Sequence, residues 1–256
     1  FGDLLVMQGK RNKKIPQTFS TFIWKVLKKN SSEMGISQKG MKIMCDFVLS
    51  GFRMIMKDAK ELCLLSKKAT LTHEQVRSSV LLNFPVELAQ HTIAQGEKSI
   101  GSYMTAKLDK GDKRSRSEQS GLIFPCGRIF AMMKAYLAGD GGKSGGCGKR
   151  KGGATRVSSS APVFLAAVLE CLTAKLIVLS ADSAAEQKRT RIIPRHINLC
   201  IRNDDDFAIY LCDTVVAAGG VVPFIHSLLL PLKRNTSKNE EEDRKIMEEG
   251  VGAPLW

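Results

Sequence analysis

The sequence is poor in aromatic residues, which fill 6% of its 256 positions, and its seven cysteines (45, 63, 126, 147, 171, 200 and 212) form no CxxC pair. An odd count without zinc-type spacing excludes a disulfide framework and fits buried free thiols in a reducing compartment. No apolar run approaches the ~18 residues of a membrane-spanning helix, the stretch around Val163 to Leu169 being among the longest, so no membrane partner is expected. Neither end reads as a secretory signal, and because residue 1 is Phe the true start is expected to lie upstream. Acidic residues are few: 25 Asp and Glu stand against 39 Lys and Arg, a net charge of +14. Hydrophobic residues, at 43%, suffice for a packed core and exclude wholesale disorder.

The excess charge is not confined to one tail. Residues 1–120 carry a balance of +10, residues 121–238 carry +8, and the last eighteen residues carry −4. Two folded, basic units therefore suggest a two-part surface that tracks one long polyanion. Charge alone does not separate DNA from RNA or a membrane surface.

Along the chain, a basic arm (KRNKK, 10–14) ends at Pro16. Phe19, Phe22, Ile23, Val26 and Leu27 then recur at helical spacing, and the turn around Met34-Gly35-Ile36 closes that segment. From about Ser37 to Ser66, Met41, Met44, Val48, Phe52, Ile55, Ala59 and Leu62 predict one long helix with a buried stripe. Thr72 with Gln75 reads as a capping box opening a short helix that ends near Phe84-Pro85. A further helix over roughly Val86 to Met104 is expected to break near Gly96 or Gly101. The second half repeats the plan, with a short helix over Phe124 to Leu137 and a Gly-rich loop over 139–153. Ser160 and Pro162 open a long helix to about Gln187, with its stripe on Leu165, Leu169, Leu172, Leu176 and Leu179. Pro194 opens a short helix to Arg202, and an acidic-started helix begins at Asp204. The fold class is thus all-α, short–long–short twice. Neither half can bury its long stripe alone, whereas two halves can bury theirs against each other.

No catalytic chemistry stands out, and no enzyme activity, cofactor or metal is expected. GGKSGGCGKR (141–150) lacks the Walker spacing: Lys143 stands where Gly is needed before Gly148, Leu137 where it is needed before Gly142, and no strand precedes. The four histidines (73, 91, 196 and 226) are dispersed, and no Cys–His pair is inferable from spacing. Asp204-Asp205-Asp206 could mimic metal ligands.

Several long stretches resemble core histones. TRIIPRHINLCIRND (190–204), FPCGRI (124–129) and APVFLAAVLECLTA (161–174) are similar to histone 2A; FSTFIWKVLKK (19–29), GISQKGMKIM (35–44) and VELAQH (86–91) are similar to histone 2B. One chain with a 2B-type and then a 2A-type segment resembles the histone doublets of giant DNA viruses of the marseillevirus group. The resemblance implies two histone folds paired as an intramolecular handshake pseudo-dimer, bending double-stranded DNA without reading bases, as histone octamers do. It divides the chain into a basic arm (1–18), a 2B-like fold with a C-terminal helix (19–107), a linker (108–120), a 2A-like fold (121–213), a docking segment (214–234) and an acidic tail (235–256).

On the same resemblance the DNA contacts are Lys10, Arg11, Lys13 and Lys14 in the arm; Ser37, Gln38 and Lys39 at the first long helix; Lys67, Lys68 and Thr70 after it; and Arg128, Arg156, Lys188, Arg189, Thr190 and Arg191 in the second half. Glu87, Glu170, Asp204, Asp205 and Asp206 correspond to a surface acidic patch. There Lys175, Val178 and Gln95 replace acidic residues, and Leu64 and Leu65 replace a polar pair facing histone 4. Implied partners are a histone 4/3-like doublet or pair and a second copy of the chain, in a virion, a viral factory or the nucleus of an infected cell. The rival reading, a histone-fold module of a transcription complex, is disfavoured by the resemblance of VVAAGGVVPFIHSLLLPL (215–232) to a segment that docks on the other histone pair.

Overall fold

The computed structural model describes residues 18–108, 114–139, 156–212 and 214–221. The first half opens with helix α1 (Ser20–Asn30), which buries Ile23, Val26 and Leu27, while Phe19 seals its start. The two-residue strand β1 (Gly35–Ile36) leads to the 28-residue helix α2 (Gln38–Leu65). Ser37 caps α2 by accepting the Gly40 N–H at 3.0 Å. Its buried stripe runs Met44, Val48, Phe52, Ile55, Ala59 and on to Cys63, with Met41 and Leu62 half-buried at its edges. Strand β2 (Thr70–Leu71) and helix α3 (His73–Asn83) follow, the Gln75 side chain accepting the Thr72 N–H at 2.9 Å. Helix α4 (Val86–Leu108) is continuous. The expected break is absent because Gly96 packs under Phe164 and so stays inside the helix.

The expected linker is partly folded. Ser115 and Glu118 form a reciprocal capping box around the short helix α5 (Arg116–Gln119), and Ser120 is buried. The second half then runs through helix α6 (Cys126–Gly139), strand β3 (Arg156–Val157), the 26-residue helix α7 (Ala161–Glu186), strand β4 (Arg191–Ile192), helix α8 (Pro194–Asn203) and helix α9 (Asp205–Tyr210). The all-α, twice-repeated short–long–short order is thus observed. All of the arm (1–18) but Thr18, most of the Gly-rich loop and the chain beyond Val221 lie outside the described residues.

Helix α7 is the hub. It packs on α1, α2, α3, α4, α6 and α8, and every residue from Ala161 to Leu169 is buried. That position corrects one expectation, since α7 is long and apolar enough to cross a membrane by length and composition, with a mean hydropathy of 2.1 over its most apolar window. Six packed neighbours account for the apolar character of its first half, where every residue from Ala161 to Leu169 is buried; the second half keeps exposed positions such as Val178 and Asp182.

The two long helices end alike. After α2, Lys67 N–H reaches the Leu64 carbonyl (3.2 Å) and Lys68 N–H the Cys63 carbonyl (3.1 Å); after α7, Lys188 N–H reaches Ala185 (2.8 Å) and Arg189 N–H reaches Ala184 (2.9 Å). Lys67 (φ 52°) and Lys188 (φ 54°) occupy the left-handed position that completes each Schellman turn. The loops then pair crosswise. β1 runs parallel to β4, with Gly35 opposite Arg191, and β2 runs parallel to β3, with Thr70 opposite Arg156. Each pair joins the first loop of one half to the second loop of the other.

Candidate nucleic-acid interface

The crossed loops gather the basic residues into groups. At the β1·β4 pair, Gly35 N–H donates to the Thr190 carbonyl and Ser37 N–H to the Ile192 carbonyl, each at 2.9 Å. These bonds bring Ser37, Gln38 and Lys39 at the α2 N-terminus together with Lys188, Arg189, Thr190 and Arg191. All are exposed except Ser37, which is half-buried. At the β2·β3 pair, Arg156 N–H donates to the Ala69 carbonyl (3.2 Å) and Ser158 N–H to the Leu71 carbonyl (2.9 Å), which gathers Lys67, Lys68, Thr70 and Arg156. Lys68 also pairs with Glu74 at 3.5 Å, and His73 Nδ1 meets Ser160 Oγ at 3.2 Å across the same junction.

A third basic position lies where the two short first helices meet. The Arg128 guanidinium donates to the Thr18 carbonyl at 2.5 Å and lies over the rings of Phe22 (5.1 Å) and Phe19 (5.9 Å). Phe19 in turn stacks on Phe124 at 5.7 Å, so one of the two rings that carry the second half's Arg128 is itself packed on the second half. Arms of Lys and Arg on rigid loop ends, beside a helix N-terminus, make a surface suited to a phosphate backbone. Lys10, Arg11, Lys13 and Lys14 lie outside the described residues.

The acidic residues behave differently from one another. Glu87 and Asp205 are exposed. Asp204 caps α9 by accepting the Phe207 N–H at 3.0 Å. Lys175 reaches from α7 to Asp206 (2.6 Å) and Asp204 (3.5 Å) and covers the Phe207 ring at 5.3 Å. Burial opposes the Lys175 charge, but the bond to Asp206 and the nearby Asp204 charge outweigh it and hold its pKa above the ordinary value. Glu170 stands apart: its carboxylate accepts the N–H groups of Ile123 (2.8 Å) and Phe124 (2.9 Å) just before α6. Burial raises its pKa, against the lowering effect of those two N–H groups and Lys29. The resemblance counts it in a surface acidic patch; here it is half-buried, and one of its oxygens holds the segment that leads into α6.

The tail segment is anchored on α8. Asn198 Nδ2 donates to the carbonyls of Gly219 (3.3 Å) and Gly220 (3.1 Å), and Arg202 donates to those of Cys212 (3.2 Å) and Thr214 (3.1 Å). His196 is fully buried between the Ile193 N–H and Gln187, and its pKa is lowered by burial and by Arg189. One contact had no sequence signal: Cys171 Sγ lies 3.2 Å from His91 Nδ1, a residue 80 positions earlier in the chain. No group of three or more His, Cys, Asp or Glu converges among the described residues.

Two paired long helices, crossed basic loops and an anchored tail define an all-α protein whose basic groups are gathered on exposed loop ends. Residues 211–239 match the family model for the C-terminus of histone 2A. A probable histone 2A of Arabidopsis thaliana is 43% identical over 146 residues, which cover 57% of this chain and 96% of that protein. A histone 2A of Volvox carteri, form IV, is 45% identical over 127 residues, covering 50% of this chain and 87% of the relative, and the histone 2A of Chlamydomonas reinhardtii is 44% identical over a stretch of the same length and coverage. The chain belongs to the histone 2A family.

Proposed function

We propose that this chain is a structural DNA-packaging protein, a fused 2B–2A histone doublet that wraps double-stranded DNA without sequence preference. In this reading the halves 19–107 and 121–213 are two histone folds in an intramolecular handshake. The observation that carries it is the crossed loop pairing, which sets exposed Arg191 opposite Gly35 and exposed Arg156 opposite Thr70. Each junction then offers basic side chains and backbone N–H groups to phosphates, and Arg128 adds a site between α1 and α6. Such contacts fix position on a duplex but carry no base information. Lys10, Arg11, Lys13, Lys14, Ser37, Gln38, Lys39, Lys67, Lys68, Thr70, Lys188, Arg189 and Thr190 complete the proposed interface.

A histone 4/3-like partner is supported by the exposed apolar residues of the first half: Leu64 and Leu65 at the end of α2, Leu81 and Leu82 near the end of α3 and Val86 at the start of α4, Leu65 by 80%. Large exposed apolar side chains in such number are suited to a protein contact. The match of 211–239 to the C-terminus of histone 2A supports a docking role for that segment in an octamer-like particle with a second copy. In this reading such a particle belongs in a virion, a viral factory or the nucleus of an infected cell.

The test is reconstitution. The full chain, a histone 3/4-type pair and mixed-sequence DNA are combined and digested with micrococcal nuclease. A discrete protected fragment that requires all three components supports the proposal; continuous degradation, or protection of one particular sequence only, rejects it.

A further inference from the structure

His73 is the first residue of α3 and is half-buried, and its Nδ1 lies 3.2 Å from Ser160 Oγ at the start of α7 in the other half. Ser160 is buried, and its hydroxyl lies 3.1 Å from that of half-buried Ser158. Ser158 is held in turn by its N–H on the Leu71 carbonyl at 2.9 Å. The imidazole is thus fixed from both halves at the β2·β3 junction, which also gathers Lys67, Lys68, Thr70 and Arg156. Its Nε2 meets no protein group among the described residues and is not a buried atom.

The two hydroxyls serve both charge states of the ring, because each can donate and accept. With neutral imidazole, the Ser160 O–H donates to Nδ1 and the Ser158 O–H donates to Ser160 Oγ. When a solvent proton adds to the Nδ1 lone pair, the ring donates to Ser160 Oγ, Ser160 turns its O–H to Ser158 Oγ, and Ser158 turns its own to solvent. No bond among the three is lost. His196 is built the other way: its Nδ1 accepts the Ile193 backbone N–H at 3.4 Å, which cannot reverse, and its Nε2 meets the Gln187 amide oxygen at 3.1 Å.

The charged groups on the elements around α3 leave room for an outside anion. Glu74 is paired with Lys68 at 3.5 Å, and Glu97 of α4 with Arg77 at 3.4 Å. On α2, Asp58 is bonded to Asn83 at the other end of α3, and the Glu61 charge acts on Tyr136. The first turn of α7 holds no acidic residue, while Lys67 and Arg156 are positive.

We propose that His73 is a proton-gated phosphate contact: in its cationic form, with Nε2–H open to solvent, it takes one DNA phosphodiester beside Lys68 and Arg156, so that duplex binding draws in a proton. This contact presupposes the packaging reading above and adds to it a response to pH. Imidazole changes its charge between about pH 5 and pH 8. One neutralised phosphate adds about 0.9 to the slope of log K against log salt, a factor of about 8 at about 0.1 M salt relative to about 1 M.

The experiment measures binding of a mixed-sequence duplex by the full chain and by His73→Gln, at about pH 8 and about pH 6. Gln keeps a side chain that can bond Ser160 but takes no proton, and the remaining histidines are common to both chains. From the higher to the lower pH, the affinity of the parent is expected to rise at least about threefold more than that of the variant, with a steeper salt slope. Calorimetry in two buffers of different ionisation enthalpy is expected to show proton uptake on binding by the parent, and less by the variant. Should His73→Gln fail to fold, His73→Asn takes its place. Equal pH dependence in the two chains, or no proton uptake by the parent, would overturn the inference and leave the packaging reading standing. A chain that binds no duplex at either pH would overturn both.

Discussion

Replacing Gly96 by Ala adds one methyl group at the tightest point between α4 and α7. The new Cβ would lie 2.4 Å and 2.6 Å from two carbons of the Phe164 ring and 3.1 Å from a third. Carbon atoms rest at about 3.5–4.0 Å, so the methyl intrudes by about 1 Å. The ring cannot swing away, because Phe164 and its neighbours Val163, Leu165, Ala167 and Val168 are all fully buried. Overpacking of this kind costs about 1–3 kcal/mol. Against that, exchanging an interior helical Gly for Ala gains up to about 1 kcal/mol. The net expectation is a loss of up to about 2 kcal/mol, or several degrees in Tm. Gly101 provides the internal control: it lies on the same helix and a Cβ there meets nothing within 4 Å, so Gly101→Ala should gain roughly 0.5–1 kcal/mol. Urea unfolding followed by circular dichroism measures both. Phe164→Leu added to Gly96→Ala should recover part of the loss. Shifts of the same sign for the two glycines would refute the close crossing.

Glu170 should make stability pH-dependent in an unusual direction: its raised pKa means the folded state holds the proton longer, so its contribution is full below pH 4.5 and is lost as pH rises through the folded value. Glu170→Gln keeps the acceptor for Ile123 and Phe124 but cannot ionise, so its urea midpoints should lack that decline; superimposable pH profiles would contradict the reasoning. Because Lys175 already occupies Asp204 and Asp206, an Arg-anchored peptide that reads the acidic patch of cellular histones should bind at least tenfold more weakly to particles of this chain, and Lys175→Glu with Val178→Glu should restore much of the affinity. Equal affinity for both kinds of particle in a peptide titration would show that other residues rebuild the patch. If the halves pair within one chain, the thermal midpoint of the monomeric protein should not change with dilution, whereas a concentration-dependent midpoint would indicate pairing between chains.

Much of this was legible in the residues because helical periodicity is local. Ser37, Ser160 and Pro194 mark helix starts, and the observed long helices, Gln38–Leu65 and Ala161–Glu186, begin and end within a residue or so of the expected limits. What escaped was non-local. The two-residue strands are too short to show alternation, and their partners lie far along the chain; Gly35 meets Arg191 only once both halves are folded. Cys171 and His91 were invisible as a pair for the same reason. Gly96 read as a helix breaker because its packing partner, Phe164, belongs to the other half. The Ser115–Glu118 capping box was present in the sequence, but the polar, basic stretch around it gave no apolar periodicity to attach it to. The bonds from Glu170 to two backbone N–H groups were not legible either, because a carboxylate on a helix face looks the same in sequence whether it meets solvent or backbone.

The most direct test of the packaging account is the salt dependence of duplex binding by the full chain and its Arg128→Ala, Arg156→Ala and Arg191→Ala variants. If these three residues touch phosphates, each substitution should weaken binding to unrelated sequences by a similar factor and reduce the slope of log K against log salt by about one. Slopes unchanged in all three variants, or a loss confined to one DNA sequence, would contradict it.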